Sequence, residues 1–178
     1  SNENREIYIY HGELDEINVN KIDSILNFFD YLTQKKNTIK LKIYLSNETK
    51  NLSEGLGFIG PNNVNSGYSV RSKSLICIWR KEELDKVLFH EIVHHLYLDM
   101  INHQYIFNDY FLKMNLNSKH HNSNEAYTEV LGLILLSIWK FYFYKFYKDM
   151  KIEDFVSKFL NIQLAWSYYQ MAKIINYF

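Results

Sequence analysis

The stretch His90-Glu91-Ile92-Val93-His94 places a glutamate directly after the first of two histidines that are four residues apart. On an α-helix, residues four apart share one face, about 6 Å apart along the axis, so both imidazoles can bind one metal ion. The carboxylate of Glu91, one position round the helix, can reach a metal-activated water and act as general base. The pattern predicts a zinc clamp made by His90 and His94, with Glu91 as the catalytic residue.

Apolar residues around this stretch indicate a buried helix rather than a strand. They recur at helical spacing on two stripes, Phe89, Ile92, Val93 and Leu96 on one and Leu84, Val87 and Leu88 on the other. The competing interpretation is a pair of core histidines that only make hydrogen bonds. A further metal ligand elsewhere in the chain would favour the zinc site.

Such a ligand is offered by the segment Asn124-Glu125-Ala126-Tyr127-Thr128-Glu129. Two histidines leave a tetrahedral zinc in need of a third protein ligand and a water, and Glu125 or Glu129 can supply that ligand from a second helix. The two glutamates are four apart and share a face, so that one can bind while the other supports. Gly132 continues this stripe and would let the second helix approach the first closely.

With these residues the sequence resembles the gluzincins, the zinc peptidases typified by thermolysin and aminopeptidase N. Thermolysin-like members follow HExxH, after a variable gap, with NExxSD, and here the second motif has Thr128 and Glu129 at its last two positions. The resemblance covers roughly residues 82 to 137. It implies that Glu125 is the third zinc ligand and that Glu129, in place of Asp, orients a ligand histidine.

Several other side chains are candidates for stabilising the transition state. His120 and His121 immediately precede the glutamate helix and could donate to an oxyanion or act as rival metal ligands, although exposed loop histidines are favoured. Tyr127, Tyr168 and Tyr169 could each place a phenol near the zinc, and the sequence does not choose among them.

Two more positions have a functional and an ordinary interpretation. Asp99 could orient a ligand histidine, but an exposed acid at a helix end is favoured. Arg71 could reach a substrate carboxylate, but a solvated surface charge is favoured. In gluzincins an edge strand before the HExxH helix pairs with the substrate backbone, which suggests that role for Val64 to Val70, with a surface hairpin as the alternative.

The pattern along the chain predicts an α+β fold, a small twisted sheet with a covering helix, followed by a helical lobe that carries the HExxH helix and the glutamate helix. We expect one metallopeptidase-like domain over residues 1–178, with a sheet-containing lobe at 1–81 and a helical lobe at 82–178. The expected strands are 7–10, 39–45 and 75–79, and a helix with Asn20 as its N-cap is expected between the first two.

Composition limits the classes of partner. The 178 residues are 47% hydrophobic and carry no formal net charge, which indicates a folded protein and gives no sign of nucleic-acid binding. The single cysteine, Cys77, excludes an internal disulfide. No signal peptide is visible, and the apolar stretch Val130 to Trp139 is too short to span a bilayer, which favours an intracellular protein without a membrane span.

Together these observations predict zinc-dependent hydrolysis of peptide bonds, with one Zn²⁺ per chain and a peptide or protein as substrate. The alternatives are a zinc-stabilised module that binds a protein without cleaving it, and an amidase that acts on a non-peptide amide.

Overall fold

The computed structural model describes residues 5–10, 18–47, 65–100 and 124–177, and in these ranges it has an α+β fold with four strands and four α-helices. The first half supplies β1 (Arg5–Tyr10), α1 (Val19–Thr33), β2 (Ile39–Ser46), β3 (Gly67–Val70) and β4 (Leu75–Arg80). The second half supplies α2 (Leu84–His95), α3 (Asn124–Phe143) and α4 (Ile152–Tyr177). The predicted fold class is confirmed.

The sheet has the strand order β1-β2-β4-β3. β1, β2 and β4 are parallel neighbours, and β3 runs antiparallel to β4. The apolar strand β4 is therefore internal, as predicted, while β3 lies at an edge. The predicted edge strand is confirmed for its described part, Gly67–Val70; position 64 lies outside the described residues.

One face of the sheet is covered by α1 and α2. Leu41 and Ile43 of β2 are fully buried, as are Phe29 of α1 and Phe89 of α2. The rings of Phe29 and Phe89 have centroids 5.1 Å apart. Alternation in β2 leaves Tyr44 exposed on the other face, which is the pattern expected for a half-covered sheet.

α1 begins two residues earlier than predicted. Its N-cap is Asn18, whose side-chain oxygen accepts a hydrogen bond from the Lys21 amide at 2.9 Å, so Asn20 is helical and the predicted cap at Asn20 is wrong. A cap needs the acceptor side chain just before the first turn, and both asparagines satisfy that rule in the sequence.

The chain forms two compact units, Ser1–Gly132 and Leu133–Phe178. This division differs from the expected lobe boundary at residue 81. The HExxH helix α2 packs on β3 and β4, and it lies in the first unit together with the sheet. In the second unit, Phe141, Phe146 and Phe155 form an aromatic cluster, with the last two rings stacked at 4.9 Å.

The prediction of an apolar stretch too short to span a bilayer is wrong. The apolar stretch is part of α3, whose 20 residues are long and apolar enough to cross a bilayer by length and composition. The buried core helix of a globular protein meets the same criterion. The first two turns of α3 carry Glu125 and Glu129, which contact histidines of α2.

Candidate metal centre

The two histidines of the HExxH stretch meet one carboxylate oxygen. Nε2 of His90 and Nε2 of His94 each lie 3.3 Å from the same oxygen, Oε2 of Glu125. One ligand atom from each residue lies within 4.8 Å of the other two. Ligands held at about 2.0–2.1 Å by a tetrahedral zinc are about 3.3–3.4 Å apart, which is the separation of both nitrogen–oxygen pairs.

The outer nitrogens of both histidines contact other acids. Nδ1 of His90 lies 3.2 Å from Oε2 of Glu129, and Nδ1 of His94 lies 2.6 Å from Oδ2 of Asp99. An ionised carboxylate only accepts hydrogen bonds, so each Nδ1 carries the proton and donates it. In the neutral ring the Nε2 lone pair is then free to bind a cation.

The local structure explains how Asp99 reaches His94. Tyr97 follows α2 in the left-handed conformation with φ 60°. The Leu98 amide donates to the Val93 carbonyl at 3.1 Å, and the Tyr97 amide donates to the His94 carbonyl at 3.2 Å. These bonds end the helix and turn the chain back on itself, which brings Asp99 to His94.

The prediction of an exposed Asp99 is wrong, because the residue is only 5% exposed. The solvated charge predicted for Arg71 is also wrong. Its Nε donates to the His94 carbonyl at 2.6 Å, its Nη2 donates to Asp99 at 3.4 Å, and its guanidinium lies 4.1 Å from the Tyr97 ring centroid. Sequence reasoning gave the role of Asp99 only as the less favoured alternative and missed the contacts of Arg71, because the usual signal for such a helix end, a glycine, is absent at position 97.

The pKa values follow from burial and these contacts. Burial raises the pKa of Glu91 above its ordinary value, although His90 and His94 oppose that rise. Burial alone would raise the pKa of Glu129, but hydrogen bonds from His90 and Lys86 outweigh it and lower the pKa to about 2. Burial alone would lower the pKa of His90, yet the hydrogen bond to Glu129 and the nearby acids raise it.

A cavity of about 900 Å³ contains these side chains. β3 forms one wall, α2 contributes Glu91 and both histidines, and α3 contributes Glu125 and Glu129. Gly67 fits β3 against α2, since an added Cβ would lie 2.6 Å from Val87 Cγ1 and 3.3 Å from Glu91 Cγ.

The remaining sequence candidates lie outside the described residues, outside the cavity lining or outside the first unit. His120 and His121 lie outside the described residues. Tyr127 is in the first turn of α3 but is not among the described residues that line the cavity. Tyr168 and Tyr169 are exposed residues of the second unit. Lys86, which no motif singled out, contacts Glu129 at 2.6 Å.

The described structure is thus an α+β protein with a His-His-Glu cluster in an open cavity. A 115-residue alignment, 62% of this chain, is 30% identical to Uncharacterized protein R210 of Acanthamoeba polyphaga mimivirus, and it covers 28% of that protein. The chain therefore spans about a quarter of the length of this relative. No family model and no solved structure matches the chain.

Proposed function

We propose that this chain binds zinc through His90, His94 and Glu125 and hydrolyses peptide bonds. The observation that carries the proposal is the convergence of two imidazole nitrogens on one carboxylate oxygen at 3.3 Å. All three atoms are hydrogen-bond acceptors when the histidines are neutral and protonated at Nδ1. A cation among them removes the repulsion, and the His-His-Glu set is one that catalytic zinc uses.

Zinc and Glu91 have separate roles in the proposed reaction. Zinc, when bound, would supply a Lewis acid that polarises the substrate carbonyl and acidifies a water. Glu91 accepts the proton from that water at its carboxylate and delivers it to the leaving amine. The residue is 8% exposed and accepts a hydrogen bond from Ser69, so its position is restrained, and burial raises its pKa. A raised pKa suits a group that must both take and give a proton near neutral pH.

The edge strand supports a peptide as substrate. The Trp79 amide donates to the Ser66 carbonyl at 3.0 Å, so antiparallel alternation turns the amides and carbonyls of Gly67 and Ser69 away from β4. Within the described ranges no strand pairs with that outer edge of β3. An extended peptide can add there, close to Glu91, with backbone hydrogen bonds that a small non-peptide amide cannot make.

The first test is zinc content by mass spectrometry on the wild type and on Glu125→Ala. We expect one zinc per wild-type chain and a loss of zinc from the variant. As a control, Glu83→Ala removes an acid that also lines the cavity but lies outside the cluster, and zinc should stay. A wild-type chain without zinc would contradict the metal site.

The second test is cleavage of a broad peptide library by the wild type and by Glu91→Gln. We expect Glu91→Gln to keep its zinc and lose a factor of about 10²–10⁴ in kcat, the usual contribution of a general base. Full activity in the variant would contradict the assigned mechanism. Zinc retention by a wild-type chain that cleaves no peptide would favour the binding module instead, and cleavage of non-peptide amides alone would favour the amidase.

A further inference from the structure

Glu129 joins a ligand histidine to a lysine. One of its carboxylate oxygens, Oε2, lies 3.2 Å from Nδ1 of His90, and the other, Oε1, lies 2.6 Å from Nζ of Lys86. Lys86 precedes His90 by four residues, so both side chains rise from the same face of α2. The carboxylate arrives from α3 and bridges the two.

The equivalent acid on the other histidine is held differently. The Asp99 side chain is 6% exposed and accepts hydrogen bonds from Arg71 and from the Thr128 hydroxyl in addition to His94. The Glu129 side chain is 37% exposed. The sequence thus supplies a short, enclosed acid for His94 and a longer, more accessible acid for His90.

This difference makes an anchor for Glu129 important. A glutamate has one more rotatable bond than an aspartate, so it loses more conformational freedom when its carboxylate is fixed. The charge-assisted contact with Lys86 occupies the oxygen that does not face His90 and thereby restricts the other oxygen to the imidazole. The ring of His90 is then held with Nε2 towards Glu125.

We infer that Lys86 is a positioning residue that orients His90 through Glu129 for metal binding. The inference rests on the proposed zinc site. Lys86 then affects zinc affinity although its own ammonium does not contact the ligand atoms. Glu129 needs this second contact because it is longer than an aspartate.

The test measures zinc affinity by competition with a chelator and the absorption spectrum of the cobalt-substituted protein. We expect Lys86→Met to weaken zinc binding about tenfold, as loss of an outer contact to a metal ligand does, and to alter the cobalt spectrum. Lys86→Arg should restore most of the affinity. Circular dichroism reports folding, and Lys86→Gln replaces Lys86→Met if the latter does not fold.

Lys21→Met is the matched control. Lys21 also contacts an acid of α2 at 2.6 Å, but that acid is Asp85, which does not contact His90 in the described structure. We expect its zinc affinity to remain within about twofold of the wild type, because a partly exposed ion pair away from the ligands affects stability weakly and the metal not at all.

A double-mutant cycle separates positioning from general destabilisation. In a Glu129→Gln background the Lys86→Met change should have little further effect on zinc affinity, since the two residues act through one contact. Wild-type affinity in Lys86→Met, or the same tenfold loss in both backgrounds, would overturn the inference alone. A wild-type chain that binds no zinc would overturn the proposed function as well.

Discussion

Two polar clusters lie in the first unit, and they are built in opposite ways. In the one centred on Asp30, the carboxylate receives Arg5, the amide and side chain of Asn37, and Lys36. Donors face acceptors throughout these contacts, and the Arg5 and Asp30 side chains are 5% and 8% exposed. In the cluster around Glu125, two imidazole nitrogens face one carboxylate oxygen, so that three acceptor atoms meet when the histidines are neutral, and the glutamate side chain is 66% exposed.

The difference separates a cluster that completes the fold from one that, under the proposed function, a metal ion would complete. The Asp30 cluster joins β1, α1 and the connection between α1 and β2 and satisfies its carboxylate from within the chain. The Glu125 cluster holds the outer nitrogens of its histidines with Glu129 and Asp99 and brings the inner nitrogens together at one carboxylate oxygen. The first should control stability, and the second should control metal affinity.

The largest expected effect is on stability. Asp30→Ala removes the buried carboxylate from the Arg5 guanidinium and leaves it only the exposed carboxylate of Asp23 at 3.5 Å, and removing one partner of a buried pair costs about 3–5 kcal/mol. We expect urea unfolding to show a loss of that size while the folded variant binds zinc like the wild type. A folded variant that loses zinc would break the division between the clusters.

Asp99→Asn should change metal affinity, as Asp30→Ala should change stability. The amide keeps the size of the side chain but loses the charge that accepts the proton of His94 Nδ1, and such outer changes weaken metal binding about 10–100-fold, or about 1.4–2.7 kcal/mol. Chelator competition measures the effect. Asp85→Asn on α2 is the control, since Asp85 pairs with Lys21 and does not contact a ligand histidine in the described structure. Equal losses in both variants would contradict the specific role of Asp99.

A smaller effect is expected at acid pH, where the contribution of the Asp30 cluster to the free energy of unfolding should decrease. Burial alone would raise the pKa of Asp30, but hydrogen bonds from Arg5 and Asn37 outweigh it and lower the pKa below the ordinary 3.8. A lowered folded-state pKa gives stability that is present above pH 3.8 and is lost as pH falls through the folded-state pKa. The difference in unfolding free energy between wild type and Asp30→Asn should therefore shrink in that acid range and stay constant near neutral pH.

The core of the fold could be predicted because its signals are local. Alternation over residues 39–45 and the apolar run 75–79 indicated β2 and β4, and helical spacing around His90 indicated α2. The placement of α2 against the sheet could not be predicted, since it depends on packing against β3 and β4, which are contacts between distant segments. Asn18 and Asn20 are equally good caps by type, and only the position of the first helical turn decides between them.

The candidate site divides in the same way. Spacing of four residues within each helix indicated His90, His94, Glu125 and Glu129 as candidate site residues. Asp99 was considered for this role, but the sequence favoured an exposed acid, because its position depends on Tyr97 adopting the left-handed conformation at the end of α2. Lys86 lies at helical spacing from His90, but its contact with Glu129 depends on how α3 approaches α2.

The smallest expected effect concerns the close approach of α3 to α2 at Gly132. α3 lies close to α2 at Gly132, but an added Cβ would lie 3.5 Å from both Cα and N of His90, an ordinary van der Waals contact. Gly132→Ala should therefore fit and raise the unfolding free energy by about 0.5–1 kcal/mol through better helix propensity, with zinc affinity unchanged. Gly132→Leu places more atoms against the His90 backbone and should reduce zinc affinity. Destabilisation by Gly132→Ala would show that α2 and α3 tolerate no side chain at position 132. The backbone of His90 would then help to determine the geometry of the proposed metal site.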